Sequence, residues 1–169
     1  LAKNKLYKTT KNVLVLDENL VKNNLRFLPL FYANEIEGKT TENLSIVIPG
    51  GVSQERRDYK SVLSKIENWS KNSSNSELEI VFLGKAENPE LQWLRDFESK
   101  KLQNVKLVYF EEKVPQNVFG SYMKNATYLW CPLQISTSFF SNEEIYGISK
   151  MSGIIADVIN YKKIAVLPK

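Results

Sequence analysis

The feature that most constrains this chain is an alternation that starts at Leu44 and runs to the end. Short β-branched, apolar runs are each followed by a stretch with apolar residues at helical spacing. Leu44-Ser-Ile-Val-Ile48 is stopped by Pro49-Gly50-Gly51 and reads as a buried strand. Tyr59, Val62, Leu63, Ile66 and Trp69 then share one face of a helix expected from about Gln54 to Ser70. The polar stretch Lys71–Ser76 has loop composition. Leu78–Leu83 is a second strand ended by Gly84, and Pro89 opens a helix carrying Leu91, Leu94 and Phe97. Val105–Phe110, a helix from Pro115 with Val118, Phe119, Tyr122 and Met123, and the strand Tyr128–Leu133 continue the pattern. Gln134 to about Gly147 reads as irregular; Met151, Ile154, Ile155, Val158 and Ile159 mark a last helix before the strand Lys163–Pro168.

Strands that read apolar on both faces and alternate with helices imply a parallel sheet covered on two sides. Right-handed crossovers then make an α/β domain with a Rossmann-like open parallel sheet and helices on both faces. That domain is expected over residues 44–169. Residues 1–43 fit less well. Val13–Leu16 suits a strand, and the apolar Leu25–Tyr32 segment suits either packing on the sheet edge or facing another domain. The absence of an initiator Met, and an end just after a strand, give the expectation of a piece of a longer protein.

Composition narrows the chemistry. The chain of 169 residues contains no histidine and one cysteine, Cys131, inside an apolar run. Ser-His-Asp and Cys-His nucleophilic centres and His-ligated zinc are therefore excluded within it, and Cys131 reads as a small core residue. No signal pattern or long apolar run is present, so a cytoplasmic setting is the expectation. The net charge of +4 suits phosphorylated ligands, an anionic membrane surface or nucleic acid. The lysines are scattered rather than gathered on one face, so no nucleic-acid partner is expected.

Ligands of open parallel sheets bind outside the carboxyl ends of the strands, where three segments meet. In Pro49–Arg57, Gly50 and Gly51 allow close backbone approach, Ser53 suits an N-cap, and Arg56 and Arg57 would fall in the first helical turn, where a bound phosphate would offset their unfavourable position. A tight turn with two solvated arginines is an equal alternative. After the third strand, backbone groups at Lys113–Gln116, around Val114, are within reach of a base edge, although a plain connection explains them as well. The third segment, Ser141–Gly153, brings Gly147, Ser149, Lys150, Ser152 and Gly153 to the start of a helix, a suitable cradle for a diphosphate. It lacks the Walker A order, and an ordinary capped helix is the alternative, but taken with the first segment the diphosphate reading is favoured. Glu143, Glu144 and Asp157 are candidate acceptors for sugar or ribose hydroxyls, or simply surface charges.

The stretches Ile48–Tyr59, Cys131-Pro-Leu133, Glu144–Gly153, Asp157 and Ile164–Pro168, in this order, resemble the C-terminal donor-binding domain of retaining GT-B glycosyltransferases. More narrowly, they resemble a bacterial subgroup that assembles surface polysaccharides. The resemblance implies that Arg56 or Arg57 grips the donor diphosphate, and that Tyr146, Gly147, Ser149, Lys150, Ser152 and Gly153 bind phosphate and sugar. Many members carry a glutamate pair here. In this chain Asp157 stands at the second position, which implies ribose binding, and Ser149 stands where the first glutamate would fall, with Glu144 a substitute nearby. The donor would be a nucleoside-diphosphate sugar, used without a metal or other cofactor. The acceptor, a saccharide or a lipid-linked molecule, would be held by a separate N-terminal domain, with peripheral association at the inner face of the plasma membrane. Two other readings stand beside it. A non-catalytic Rossmann-like interaction module is supported by the missing glutamate pair. A dinucleotide oxidoreductase is opposed by the lack of Gly-x-Gly-x-x-Gly after every expected strand.

Overall fold

The computed structural model describes residues 14–15, 18, 21, 25–28, 44–73, 76–139 and 141–168. In chain order the elements are β1 (Leu14–Val15), β2 (Arg26–Phe27), β3 (Leu44–Pro49), α1 (Tyr59–Asn72), β4 (Leu78–Lys85), α2 (Glu90–Ser99), β5 (Val105–Phe110), α3 (Gln116–Asn125), β6 (Tyr128–Trp130), β7 (Ser136–Phe139), β8 (Asn142–Ile145), α4 (Gly153–Asn160) and β9 (Ile164–Val166). The expected N-terminal strand is present as β1, paired in parallel with β2. Residues 29–32, the second half of the apolar Leu25–Tyr32 segment, lie outside the described residues.

β3, β4, β5, β6 and β9 form one all-parallel sheet in the spatial order β5-β4-β3-β6-β9. The chain builds outward from β3 to β5, then returns to the other side of β3 for β6 and β9. The order reverses between β3 and β6, and that switch point opens a crevice at the carboxyl edge of such a sheet.

Side-chain alternation along the strands feeds two cores. Ile48, Ile80 and Phe82 point to one face and pack with Tyr59, Val62 and Ile66 of α1 and Leu91, Leu94 and Phe97 of α2. Val47, Val81, Leu83 and Leu129 point to the other, with Met123 of α3 and Ile154 of α4. The sheet is thus covered on both faces, as its apolar strands require. Phe82 is fully buried, with its ring centroid 5.6 Å from that of Tyr59. Truncating such a residue to alanine costs about 3–5 kcal/mol.

Four expectations need correction. The first helix begins at Tyr59, not Gln54. Its N-cap is Asp58, whose carboxylate accepts from the Ser61 amide at 3.2 Å, and not Ser53. The Asp58 amide donates to the Pro132 carbonyl at 2.8 Å, so it is unavailable to extend a helix upstream. The span after Gln134 is not irregular: β7 and β8 form an antiparallel hairpin with Ser141 at φ +60° in its turn. Gly84 does not end β4 but lies inside it.

Gly84 has a steric reason to be glycine. A Cβ there would stand 2.3 Å from the Gly50 carbonyl oxygen and 2.7 Å from the Gly51 nitrogen, both backbone atoms that cannot yield cheaply. The Gly50 amide donates to the Leu83 carbonyl at 3.0 Å and the Val52 amide to the Lys85 carbonyl at 3.0 Å, which presses the loop after β3 down onto β4. Gly84→Ala is expected to destabilise the fold by on the order of 3 kcal/mol, an overpacking cost. A urea titration checks this, and a midpoint equal to the parent's would contradict the close approach.

Candidate functional site

At the switch point the loop after β3 turns at Gly50, whose φ of +96° is a conformation that side chains rarely adopt. Residues 53–57 then form a tight turn in which the Arg56 and Arg57 amides both donate to the Ser53 carbonyl, at 3.1 and 3.0 Å. This turn lies against the segment that follows β6. Arg57 forms an antiparallel bridge with Leu133, and the Gln134 amide donates to the Arg56 carbonyl at 3.1 Å. Arg56 and Arg57 therefore precede the N-cap of α1 instead of occupying its first turn, because Asp58 takes the capping role.

The two arginines part here. Arg56 is exposed. Arg57 folds back over the glycine turn, where its Nη1 donates to the Gly51 carbonyl at 2.9 Å and its Nη2 would stand 2.8 Å from a Cβ on Gly50. The Arg57 Nε is buried and has no hydrogen-bond partner among the described residues. A buried guanidinium N–H without an acceptor is costly, and an anion seated in the crevice would satisfy it.

Arg57 is also the electrostatic hub of this edge. Asp157, in α4, is half-buried, and desolvation pushes its carboxyl above the ordinary range while Arg57 pulls it down. Burial likewise lifts the Tyr59 hydroxyl, against the attraction of Arg57. The Cys131 thiol, fully buried just after β6, is pushed up to about 12 by desolvation, opposed by Arg57 and reinforced by Asp157. It stays a protonated thiol at neutral pH and is a core residue, as its apolar neighbours suggest. Gly50, Gly51 and Arg57 thus share the loop after β3, and Asp157 of α4 and Cys131 lie within the electrostatic reach of Arg57.

The third segment is arranged differently. Ser152 is the buried N-cap of α4, and Gly153 its first residue, but the Ser152 side chain makes no capping bond. A Cβ on Gly153 would meet nothing within 4 Å, so this helix end is open. The turn before it is closed on itself. The amides of Ile148, Ser149 and Lys150 all donate to the Ile145 carbonyl, the Gly147 amide donates to the Lys150 carbonyl at 2.9 Å, and Ser149 Oγ accepts from the Ile145 amide. Gly147 takes φ +81° to make the turn. Tyr146, which bridges to Lys150, donates its amide to the Ile135 carbonyl at 3.1 Å. This ties the turn to the segment that contacts Arg56, on the same edge of the sheet as Arg57. Glu144 lies on β8 opposite Thr137 in the hairpin register, and Glu143 is exposed beside it. Val114 is half-buried and packs its side chain into the core beside α3 and α4.

A groove of about 610 Å³ opens at the opposite, amino edge of the sheet, lined in part by Ser45, Glu79, Asn104, Lys106 and Tyr122. Size does not make it the site. Its polar groups satisfy one another: Ser45 Oγ donates to Glu79 at 3.2 Å, Lys106 pairs with the same carboxylate at 2.7 Å, and Asn104 caps the end of α1 through the Ser70 and Ser73 carbonyls.

Three contributors were not singled out by motif. Gly84 carries the signal of a glycine within a strand, which marks close backbone approach. Gln54 and Gln134 carry none, since glutamine in a loop is uninformative until its partners are known. Among the described residues no group of three or more Cys, Asp or Glu is arranged to hold a metal ion, and no helix is long and apolar enough to cross a membrane.

The raised Asp157 carboxyl fixes a sign. Where folding raises an acid's pKa, the ionised form disfavours the folded state. The penalty is full above the folded value and vanishes below the unfolded value of about 4. Asp157→Asn is therefore expected to raise the melting temperature at pH 7, with the gain shrinking as pH falls toward 4. Thermal melts across that range check it, and a lower melting temperature for the variant at pH 7 would contradict the assignment. No protein-family model matches the chain, and no match was found among curated proteins.

Proposed function

We propose that the chain binds the diphosphate of a nucleoside-diphosphate sugar at the carboxyl edge of the sheet, as the donor-binding domain of a glycosyltransferase. The observation that carries this reading is the buried Arg57 Nε without a partner at the β3–β6 switch point. It sits above a glycine turn that admits close approach, and the open N-terminus of α4 closes the same strand edge. Guanidinium and peptide dipoles fixed before the reaction stabilise charge that develops on a departing diphosphate. Asp157, facing Arg57 from α4, is the acceptor for a ribose or sugar hydroxyl. The GT-B resemblance adds the reaction class: glycosyl transfer to a saccharide or lipid-linked acceptor in surface-polysaccharide synthesis, on the cytoplasmic side of the membrane.

In the described conformation the backbone amides of residues 147–150 are engaged within their own turn. For that turn, Lys150 and the amides at the start of α4 are the diphosphate ligands, and the donated bonds come from side chain and helix end rather than from a loop nest. The same observation favours the second reading, a Rossmann-like interaction module without turnover, since fold alone carries no activity.

Titration calorimetry with UDP, GDP and ADP separates the two. Saturable binding of one of them in the millimolar range or tighter is expected. Arg57→Ala would weaken it about tenfold or more, as loss of a charge-assisted hydrogen bond does, and Lys150→Ala would weaken it less. No heat with any of the three at millimolar concentration refutes the donor-site reading.

A further inference from the structure

Gln54 has every polar group engaged, and together they reach three segments. Its amide donates to Glu90 Oε1 in the first turn of α2 at 2.7 Å. Its carbonyl accepts from Gln134 Nε2, after β6, at 3.0 Å. Its side-chain Nε2 donates to Asp58, the N-cap of α1, at 3.1 Å, and its Oε1 accepts from the Lys60 amide at 3.2 Å. Asp58 in turn is fixed by the Ser61 amide and the Pro132 carbonyl. These bonds bracket Arg57 from both sides: Gln54 and Asp58 flank it in sequence, and Gln134 closes the loop that faces it.

From this arrangement we infer that Gln54 is a positioning residue, which acts through Arg57 and touches no ligand itself. It staples the turn 53–57 to α1, to α2 and to the segment after β6, so that the guanidinium is held over Gly50–Gly51 before any anion arrives. The need for such a staple is physical. The arginine side chain has several rotatable bonds, and its only hydrogen bond to the glycine loop is the one from Nη1 to the Gly51 carbonyl. Without a fixed backbone beneath it, that bond does not determine where Nε points. The inference deepens the donor-site reading, and rests on it for the ligand but not for the geometry.

The test uses the full chain and two readouts. The first needs no ligand: the Nε–H signal of Arg57 in a nitrogen–proton correlation spectrum, identified by its disappearance in Arg57→Lys. A buried Nε–H is expected to give a resolved, slowly exchanging signal. In Gln54→Met, which keeps the side-chain volume and removes both side-chain bonds, the signal is expected to broaden or move to the position of exposed arginines. The second readout is affinity for inorganic pyrophosphate, which is independent of the base. Gln54→Met is expected to weaken it about fivefold or more, and to have no further effect in an Arg57→Lys background. Should Gln54→Met not fold, Gln54→Glu keeps the acceptor for Lys60 while setting a carboxylate against Asp58, and the same loss is expected. An Arg57 signal unchanged in a folded Gln54 variant overturns the inference, as does a pyrophosphate loss that persists undiminished in the Arg57→Lys background. A collapsed Arg57 signal in a protein whose parent binds no pyrophosphate upholds the positioning role and removes the donor-site reading.

Discussion

The close approach of two backbones, Gly50–Gly51 above Gly84, is the constraint on which the carboxyl edge depends. It exists because neither strand offers a side chain at the crossing: a Cβ on Gly84 would lie inside the contact distance of three backbone atoms. With the loop pressed down and tied to the Leu83 and Lys85 carbonyls, the chain after β3 cannot rise directly into a helix. It turns at residues 53–57, meets the segment after β6, and only then enters α1. That detour carries Arg57 into the crevice where the strand order reverses.

Arg57 then organises its surroundings electrostatically. It is the attractive charge felt by Asp157, Cys131 and Tyr59, and in each case burial works against it. For Asp157 burial wins, so the folded chain holds a carboxylate that would be more comfortable in water. Stability spent in this way is typical of sites kept for binding rather than for packing. Together with an Nε that lacks an acceptor, it makes this edge the least self-sufficient polar region described, whereas the larger groove at the amino edge closes its own hydrogen bonds.

Much of the architecture is legible in residue order because burial is periodic. Tyr59, Val62 and Ile66, then Leu91, Leu94 and Phe97, fall on the inward faces of α1 and α2 at the spacing that a helix requires. Strands apolar on both faces leave a covered parallel sheet as the solution. The β7–β8 hairpin was not legible: Ser136-Thr-Ser and Asn142-Glu-Glu carry no apolar alternation, and their pairing is a matter of backbone geometry. The helix start was misplaced for a related reason. Ser53 and Asp58 are both good caps by type, and what decides between them is that the Asp58 amide is claimed by Pro132, from a segment far along the chain. Of the site residues, the glycines and arginines were visible as types, but whether Arg56 or Arg57 turns inward depends on the same bridge to Leu133.

The sequence by itself determined the class of fold, the order of the helices and of the five strands of the parallel sheet, and the exclusion of histidine chemistry, because these follow from local periodicity and composition. The tertiary structure alone decided which arginine folds over the glycine turn, that the amides of residues 148–150 turn inward on Ile145, and that a half-buried Asp157 lies within the electrostatic reach of Arg57. Those outcomes depend on hydrogen bonds and charges between segments distant in the chain, and no local pattern of residue types encodes the partner at the other end.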